Sequence, residues 1–440
     1  MLKISTLLAR LAGDDRLKTR LFSKGLADLM VKGAGLFALF GMNAVLARIM
    51  GVEAFGHFAF VTAGVLVLSL LARQGMDSSA LRLIPGYVAN RDWGRLRGFL
   101  TWSLSWVLGA STGIGLLVLA VLVAFSDSVP NGLFETAIWG AILLPIMAVM
   151  YQVQYVLRSR GWMVRAQVQD MLLRPIGICL LATIFWVLGR PVFGHDAIIF
   201  AVCTVLAGLL FGWSWLQKSM PDDVYRTTSI FVRPKWRRIS TPLLFVAGAN
   251  MLLTQTDVLM LGVFQNTDMS GIYSVASRLA AMAIFATIAL GSFGAPLIAE
   301  LYSQGKMEDL ARIAKTMARV AFACLVPAMI FFLLAGEWVL ALFGLEFVAA
   351  YSPLLILMSG QALASCFGAS AMILTMTEHE DAAARVLVGS VVANIILNAV
   401  LIPSYGMMGA AIATALTTAV PVATMSWFVK SRVGINSTVL

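Results

Sequence analysis

Ionisable side chains occur at helical spacing inside long apolar stretches of the sequence. Asp28 precedes Lys32 by four residues and Asp170 precedes Arg174 by four, so each pair lies on one helix face and can form an ion pair. Arg278 stands deep inside another apolar stretch. Guanidinium and ammonium groups at such positions can bind anions, because they replace the hydration shell of a phosphate or a carboxylate. The residues therefore predict a site for an anionic ligand.

A polar stripe interrupts a further apolar stretch. Asn250, Thr254 and Asp257 follow helical spacing and fall on one helix face. A lone carboxylate at membrane depth often carries a proton or a cation during transport, so these three residues are predicted to couple ion movement. The alternative is that the stripe forms hydrogen bonds that hold neighbouring helices together.

The cationic residues also have structural interpretations. Lys32 lies only a couple of turns from the end of its apolar stretch and could extend its ammonium to the membrane surface. Arg174 could simply remain paired with Asp170. Arg278 is too deep to reach the surface easily, so a functional role is favoured there.

The composition indicates whether the segments that carry these residues lie in water or in a membrane. The chain of 440 residues is 60% hydrophobic and 12% charged, with a mean hydropathy of +0.88. A soluble protein has roughly twice that charged fraction. The sequence therefore predicts an all-α, polytopic membrane protein.

Apolar runs between Gly, Pro and charged residues predict about twelve transmembrane helices. Their predicted limits are 25–50, 57–75, 98–125, 134–157, 167–189, 194–216, 239–264, 270–298, 317–343, 351–376, 383–403 and 407–430. Lys and Arg concentrate in alternate loops, whereas the opposite loops are mostly acidic. This bias predicts that both termini are cytoplasmic, so the net charge of +10 indicates topology and not nucleic-acid binding.

A weak internal repeat divides the chain into two halves. A shift of 215 residues aligns Gly56 with Gly271 and Tyr87 with Tyr302, and a hydrophilic stretch falls near the middle. We expect two pseudo-symmetric six-helix halves around a central cleft, where substrate would bind. The predicted segments are a basic cytoplasmic segment 1–24, the halves 25–216 and 239–430, the cytoplasmic linker 217–238 and a cytoplasmic tail 431–440.

Enzyme chemistry and metal binding find little support in the sequence. It has no Walker loop, no HExxH motif and no sizeable soluble domain, and a membrane-embedded transferase would usually show a substantial polar catalytic loop. The four cysteines occur singly and the three histidines are far apart. We therefore predict a transporter without a metal or cofactor.

Three junctions resemble a known family of transporters. The stretches "LARIMGVEAFGHFAFV", "SGIYSVASRL" and "LIPSYGMMGAAIATAL" resemble helix junctions of the polysaccharide transporter family, most closely Wzx-type O-antigen or exopolysaccharide flippases. This family belongs to the multidrug/oligosaccharidyl-lipid/polysaccharide (MOP) superfamily. The resemblance implies a MATE-like fold in the bacterial cytoplasmic (inner) membrane and an undecaprenyl-diphosphate-linked oligosaccharide as cargo. Membrane lipids and a polysaccharide polymerase or chain-length complex are the implied partners.

The resemblance implies that the cationic side chains inside the apolar stretches bind the substrate. Lys32, Arg174 and Arg278 would bind the diphosphate, with Asp28 and Asp170 as charge partners, and Lys32 would lie at the cytoplasmic mouth of the cleft.

Three other functions remain open at this point. A MATE-type multidrug antiporter would need acidic cavity residues, of which Asp257 is the one strong candidate. A lipid II flippase of the same superfamily typically has about fourteen helices. A non-transporting scaffold of a polysaccharide assembly complex would use none of the buried charges.

Overall fold

The computed structural model of the chain describes residues 15–435 and Thr438. Side chains are described from Met30 onward, except at positions 286, 288, 289, 292, 293 and 296 and at the undescribed residues near the end of the chain. Residues 1–14 of the predicted basic segment and four positions of the predicted tail lie outside the described residues. The described residues form a bundle of helices without β-strands, which confirms the predicted all-α class.

The helices follow one another with short connections. In chain order they are α1 (Asp15–Arg73), α2 (Met76–Ala89), α3 (Trp93–Ala124), α4 (Asn131–Ser159), α5 (Met163–Val168), α6 (Arg174–Val187), α7 (Gly194–Ser219), α8 (Asp222–Arg226), α9 (Arg233–Phe264), α10 (Thr267–Ala283), α11 (Phe285–Ser303), α12 (Met307–Ala341), α13 (Tyr351–Cys366), α14 (Ser370–Met376) and α15 (Glu380–Phe428). A π-helical turn, Gln169–Leu173, joins α5 to α6, and another, Val429–Val433, follows α15.

Two of these helices each cross the membrane twice. A straight helix of the 59 residues of α1 would be about 90 Å long, roughly three times the hydrocarbon thickness of a bilayer. Non-helical glycines divide α1 and α15, at Gly51 (φ 76°) and Gly406 (φ 53°). In α15 the Nδ2 of Asn394 donates to Oγ1 of Thr417 (3.1 Å), so its two parts lie side by side. Each helix is therefore a hairpin of two passes.

The number of passes agrees with the sequence prediction. Nine stretches of helix in the described part of the chain are long and apolar enough to cross a membrane, and two of them are the hairpins at Gly51 and Gly406. The eighth pass is added by α10 and α11, which are interrupted at Ile284. The described residues thus make twelve passes, with helix ends several residues from the predicted limits. The last six residues of the predicted linker already belong to α9.

The bundle has two ends that differ in their connections. We call the end with the turns at Gly51 and Gly406 the hairpin face. The opposite end, with the connection 220–232 between the two halves, is the linker face. On the hairpin side, one buried core extends through both halves and includes Phe55 and Phe347. On the linker side, the described residues form two separate cores, one containing Trp236 and the other containing Leu301. The halves are therefore joined at the hairpin face and separated at the linker face.

The repeat-related glycines touch each other at the hairpin face. An ideal Cβ on Gly271 would lie 2.7 Å from Cα of Gly56, and one on Gly56 would lie 2.4 Å from the carbonyl oxygen of Thr267. Neither position can accept a side chain without movement of backbone. Direct contact between equivalent residues is expected where a pseudo-two-fold axis passes between two halves.

The connection between the halves is attached to the N-terminal half. The backbone N–H of Ile230 donates to the carbonyl of Gly94 (2.9 Å). The guanidinium of Arg97 donates to the carbonyls of Tyr225 (2.6 Å) and Thr227 (2.8 Å). These bonds hold residues 220–232 against the start of α3.

The first turns of α9 also pack on the N-terminal half, although α9 is the first pass of the C-terminal half. The indole of Trp236 donates to the hydroxyl of Tyr87 (2.9 Å), and the hydroxyl of Ser240 donates to that of Ser79 (3.0 Å). An ideal Cβ on Gly75 would lie 2.2 Å from the carbonyl oxygen of Ser240. The start of α9 is thus buried against the N-terminal half.

Candidate binding cavity

A cavity of about 410 Å³ lies between the two halves, on the linker side of the common core. Its lining is mostly apolar and comes from the second, fourth, fifth and sixth passes of one half and from α9, α10, α13 and α15 of the other, together with the first pass. Among the described residues, its charged lining residues are Arg174, Asp257 and Arg278. The structure therefore brings together three side chains from separate regions of the sequence.

Arg174 reaches the cavity at the point where the fifth pass changes its winding. It is the first residue of α6 and follows the π-helical turn Gln169–Leu173. Its Nη2 lies 3.2 Å from Oδ1 of Asp170, and the hydroxyl of Tyr151 lies 3.4 Å from the same oxygen. A π-helical turn rotates the residues on either side of it relative to an unbroken helix and frequently occurs at functional sites. The charge of Arg174 is therefore compensated within its own half.

Arg278 reaches the same cavity from α10, and its surroundings differ. Its guanidinium donates to Oδ1 of Asn43 on the first pass, in the other half. Within the described part of the chain, no carboxylate lies within ion-pair distance of Arg278. Arg174 and Arg278 line the same cavity and carry charges of the same sign. The positive charge of Arg278 therefore has no counter-ion among the described residues of the cavity.

Asp257 lies at the border between the cavity and the core of the C-terminal half, with an exposed fraction of 3%. It accepts hydrogen bonds from the hydroxyl of Tyr273 (2.9 Å), from Nδ2 of Asn398 (2.7 Å) and from the hydroxyl of Thr414. These donors are all uncharged. The other amide atom of Asn398, its buried Oδ1, has no donor in the described structure. A carboxylate beside neutral oxygen ligands can hold a proton or a small monovalent cation.

The other residues of the predicted stripe lie further toward the linker face. Thr254 lines the cavity, whereas Asn250 is exposed and is not among the residues of its wall. The side chains of both donate to carbonyls of their own helix, at Met251 (2.9 Å) and Val246 (2.9 Å). Within the described residues, neither side chain has a hydrogen bond to a neighbouring helix.

Lys32 is not part of the described cavity wall. It is half-buried on α1, about two turns toward the linker face from the cavity residue Leu39, and it has an interaction partner of its own. The side chain of Asp28, its predicted partner, lies outside the described residues. The proposed position of Lys32 at the mouth of the cleft stays a prediction.

Sequence reasoning did not find the neutral residues of the site. Asn43, Tyr273, Asn398 and Thr414 each bond to one of the predicted charged residues. One signal was available: Asn394 and Asn398 are four residues apart in an otherwise apolar stretch, and the amide of Asn398 donates to Oδ1 of Asn394 (3.1 Å). The pairing of Asn43 with Arg278 has no such signal, because the two residues lie far apart in the sequence.

A family of known proteins matches most of this architecture. The family described as "Polysaccharide biosynthesis protein" matches residues 23–301. This segment includes the N-terminal half, the connection between the halves and the passes that carry Asp257 and Arg278.

Two curated relatives come from Haloferax volcanii. The chain is 33% identical to "Probable flippase AglR" over 164 residues, which cover 37% of this chain and 34% of that protein. It is 27% identical to "Probable low-salt glycan biosynthesis flippase Agl15" over 241 residues, which cover 53% of this chain and 50% of that protein. The matches thus span about a third and a half of the length of these relatives.

Solved structures of MOP transporters share the fold. An inward-facing multidrug resistance MATE transporter superposes with a TM-score of 0.65 at 16% identity, covering 93% of this chain and 98% of that chain. The lipid II flippase MurJ, in an inward closed conformation, gives 0.66 at 14% identity, covering 93% and 87%. A MOP transporter from Pyrococcus furiosus, whose binding pocket is described as having reverse polarity, gives 0.63 at 15% identity, covering 93% and 95%. The similarity shows a MATE-like fold.

Proposed function

The chain belongs to the family of polysaccharide biosynthesis proteins, and on that premise we propose that it is a flippase for a lipid-linked oligosaccharide. The cargo we propose is an undecaprenyl-diphosphate-linked repeat unit of an O-antigen or exopolysaccharide. One observation carries this proposal: the cavity between the halves contains an arginine, Arg278, whose partner in the described structure is the neutral Asn43.

A diphosphate is the part of such a cargo that resists crossing a membrane. Moving an unpaired anion out of water costs many kcal/mol, so a flippase must supply charges in place of the lost hydration. Arg278 would bind one phosphoryl group through two parallel N–H groups. Arg174 would bind the other when the ligand draws it away from Asp170.

The other predicted cation would act before the diphosphate reaches the cavity. Lys32, near the linker end of the first pass, would attract the anionic headgroup toward the cleft, and Asp28 would moderate its charge. In the same way Asp170 would keep Arg174 compensated while the cavity is empty. Electrostatic attraction of this kind acts mainly on the rate of association.

We propose that Asp257 couples transport to a proton or cation gradient. Its neutral donors leave the carboxylate able to accept a positive charge, and they come from α10 and from both parts of α15. Binding of a cation would draw these helices together around α9. Thr254 and Asn250 would form the polar path from the linker face to this carboxylate.

We infer the location of the protein in the cell, and its orientation in the membrane, from the Lys and Arg residues concentrated in alternate loops. The chain would lie in the bacterial cytoplasmic (inner) membrane with its linker face and both termini in the cytoplasm. The separated cores at the linker face then correspond to a conformation open to the cytoplasm, where lipid-linked precursors are made. A polysaccharide polymerase or chain-length complex would receive the cargo on the other side.

The alternative functions have less support. A multidrug antiporter for cations would place carboxylates in the cavity, but two of the three charged lining residues described are arginines. The fold does not separate these functions, since the MATE and MurJ structures superpose about equally well. A non-transporting scaffold would have no need for uncompensated charges around an internal cavity.

The direct test is a flipping assay with purified protein. The chain is reconstituted in vesicles that contain a fluorescent undecaprenyl-diphosphate-linked trisaccharide, and a membrane-impermeant lectin reports sugar that reaches the outer leaflet. We expect faster transfer than in vesicles without protein, and inhibition by undecaprenyl diphosphate. Efflux of a cationic dye without transfer of the lipid-linked sugar would contradict the proposal and favour the antiporter.

A further inference from the structure

Arg278 borders two voids. One is the central cavity, and the other is a smaller void of about 80 Å³ between the first pass and α10. The smaller void has an apolar lining that includes Leu36, Phe40 and Met282. The guanidinium therefore stands between the central cavity and a small apolar void.

Asn43 fixes the guanidinium in that position. It is buried, with an exposed fraction of 2%, and its Nδ2 donates to the carbonyl of Leu39 one turn earlier (2.6 Å). This bond orients the amide so that its remaining polar atom, Oδ1, accepts the hydrogen bond from Arg278. The bond joins the first pass of one half to α10 of the other.

The bond lies where the packing between these two passes changes. Toward the hairpin face, Met42, Leu46 and Ala47 of the first pass are buried in the common core together with Val275 of α10. Toward the linker face, an ideal Cβ on Gly33 would lie 3.7 Å from the ring of Phe285. On the linker side Phe37 is 72% exposed. The hydrogen bond thus joins the two passes at the linker-side edge of their buried contact.

We propose that the Asn43–Arg278 hydrogen bond is a latch between the first pass and α10, which a diphosphate opens by competing for the guanidinium. This inference rests on the proposed function, because it requires that a diphosphate binds Arg278. Asn43 acts through Arg278 and is a positioning residue. The ligand that opens the latch thereby separates the passes that close the cavity on that side.

The competition favours the diphosphate for a simple chemical reason. A phosphate carries the charge opposite to that of the guanidinium and can accept two parallel hydrogen bonds from it, whereas the amide of Asn43 is neutral and accepts one. A bidentate phosphate in the cavity takes two parallel N–H groups and turns the plane of the guanidinium away from Asn43. The apolar lining of the void beside Arg278 then suits the part of the hydrocarbon chain next to the diphosphate.

Distances between spin labels test the latch. In a variant without the four native cysteines, labels on the exposed positions Phe37→Cys and Thr287→Cys report the separation of the first pass from the eighth pass in nanodiscs. We expect undecaprenyl diphosphate to increase this distance and the uncharged polyprenol to leave it unchanged. Inorganic pyrophosphate should also increase it, at a higher concentration, because it carries the charge without the lipid.

Substitutions at Asn43 separate a latch from a structural role. Asn43→Ala removes the acceptor, so the longer distance should be populated without ligand. Asn43→Asp places a carboxylate opposite the guanidinium, and the ligand concentration for half-maximal opening should rise about tenfold or more. Ser359→Ala removes a hydroxyl that bonds within its own helix, and it should behave like the parent chain.

The possible results distinguish the latch from the proposed function. The latch is wrong if Asn43→Ala is as closed as the parent without ligand, whatever the ligand does. It is also wrong if undecaprenyl diphosphate binds in an Arg278-dependent manner and the distance does not change. If no diphosphate binds, the proposed substrate is wrong, and a longer distance in Asn43→Ala still supports a latch that another anion opens.

Discussion

The buried charged residues of the two halves differ in the kind of partner they have. In the N-terminal half, Arg73 forms an ion pair with Asp77 (2.5 Å), and Arg174 forms one with Asp170 (3.2 Å). In the C-terminal half, the described partners of Asp257 are uncharged, and those of Arg278 are also uncharged. One half thus contains compensated charges and the other contains charges that neutral groups solvate.

This difference indicates where a ligand can change the energy of the protein most. A buried ion pair already has its opposite charge, so a ligand must displace a partner before it gains much. A buried charge that is held only by neutral groups is costly, and an ion of the opposite sign relieves that cost directly. We therefore expect variants in the C-terminal half to affect transport more than variants in the N-terminal half.

The largest effect is expected at Arg278. Arg278→Glu replaces attraction of the diphosphate by repulsion and should lower export about a hundredfold or more, since a single charged hydrogen bond contributes roughly 1.5–3 kcal/mol. Arg278→Lys keeps the charge but loses the bidentate fork and should retain part of the activity. The measurement is surface polysaccharide and accumulated lipid-linked precursor in a strain that lacks its own flippase, at matched protein levels. Full complementation by Arg278→Glu would exclude a cationic cleft.

A smaller effect is expected at Asp257. Asp257→Asn preserves the size of the side chain and removes its charge, so transport should slow about tenfold and lose its dependence on pH or on the coupling cation. The initial rate of flipping in vesicles, measured with and without an imposed gradient, tests this. Insertion and thermal stability serve as controls. An unchanged gradient dependence would mean that the carboxylate only holds helices together.

Arg174 should matter less than Arg278, because Asp170 already compensates it. Arg174→Gln should weaken the binding of undecaprenyl diphosphate about three- to tenfold, the range of one weakened charged contact. Asp170→Asn releases Arg174 and should strengthen binding by a similar factor. Binding isotherms for the two single variants and the double variant provide the comparison. If Asp170→Asn weakens binding, the pair is structural.

The smallest effect is expected at Lys32, which lies outside the described cavity wall. Lys32→Glu should slow association about twofold to fivefold, and the difference from the parent should disappear at high salt, because screening removes long-range attraction. Stopped-flow binding at two ionic strengths measures this. A salt-independent loss larger than that of Arg174→Gln would assign Lys32 to the binding site itself.

Much of the fold could be predicted from the sequence because few backbone structures are stable in a membrane. Each pass must satisfy its backbone hydrogen bonds internally, so apolar runs of sufficient length are helices. The repeat also placed Gly56 opposite Gly271 in register, and the two are in contact. The helix ends were less accurate. The first described helix already includes Asp15, since polar residues at a membrane surface can continue a helix.

The candidate site was predictable only for its charged residues. Arg174, Asp257 and Arg278 are conspicuous because ionisable residues are rare inside apolar stretches. The neutral residues that contact them, such as Asn43 and Asn398, resemble ordinary polar residues of a helix bundle. Which helix faces meet depends on packing between distant parts of the chain, and no local pattern encodes it.

The attachment of residues 220–232 to the N-terminal half determines where the molecule can bend. A mobile linker would let two halves rotate without deforming either of them. In this chain the segment is fixed by Ile230 and Arg97, and α9 continues from one half at Ser240 to the other at Asp257. Any rotation of the halves must therefore flex α9 between these points, close to Pro242 and Gly248. Amide hydrogen exchange should accordingly be faster in the middle of α9 than near Trp236 and near Asp257.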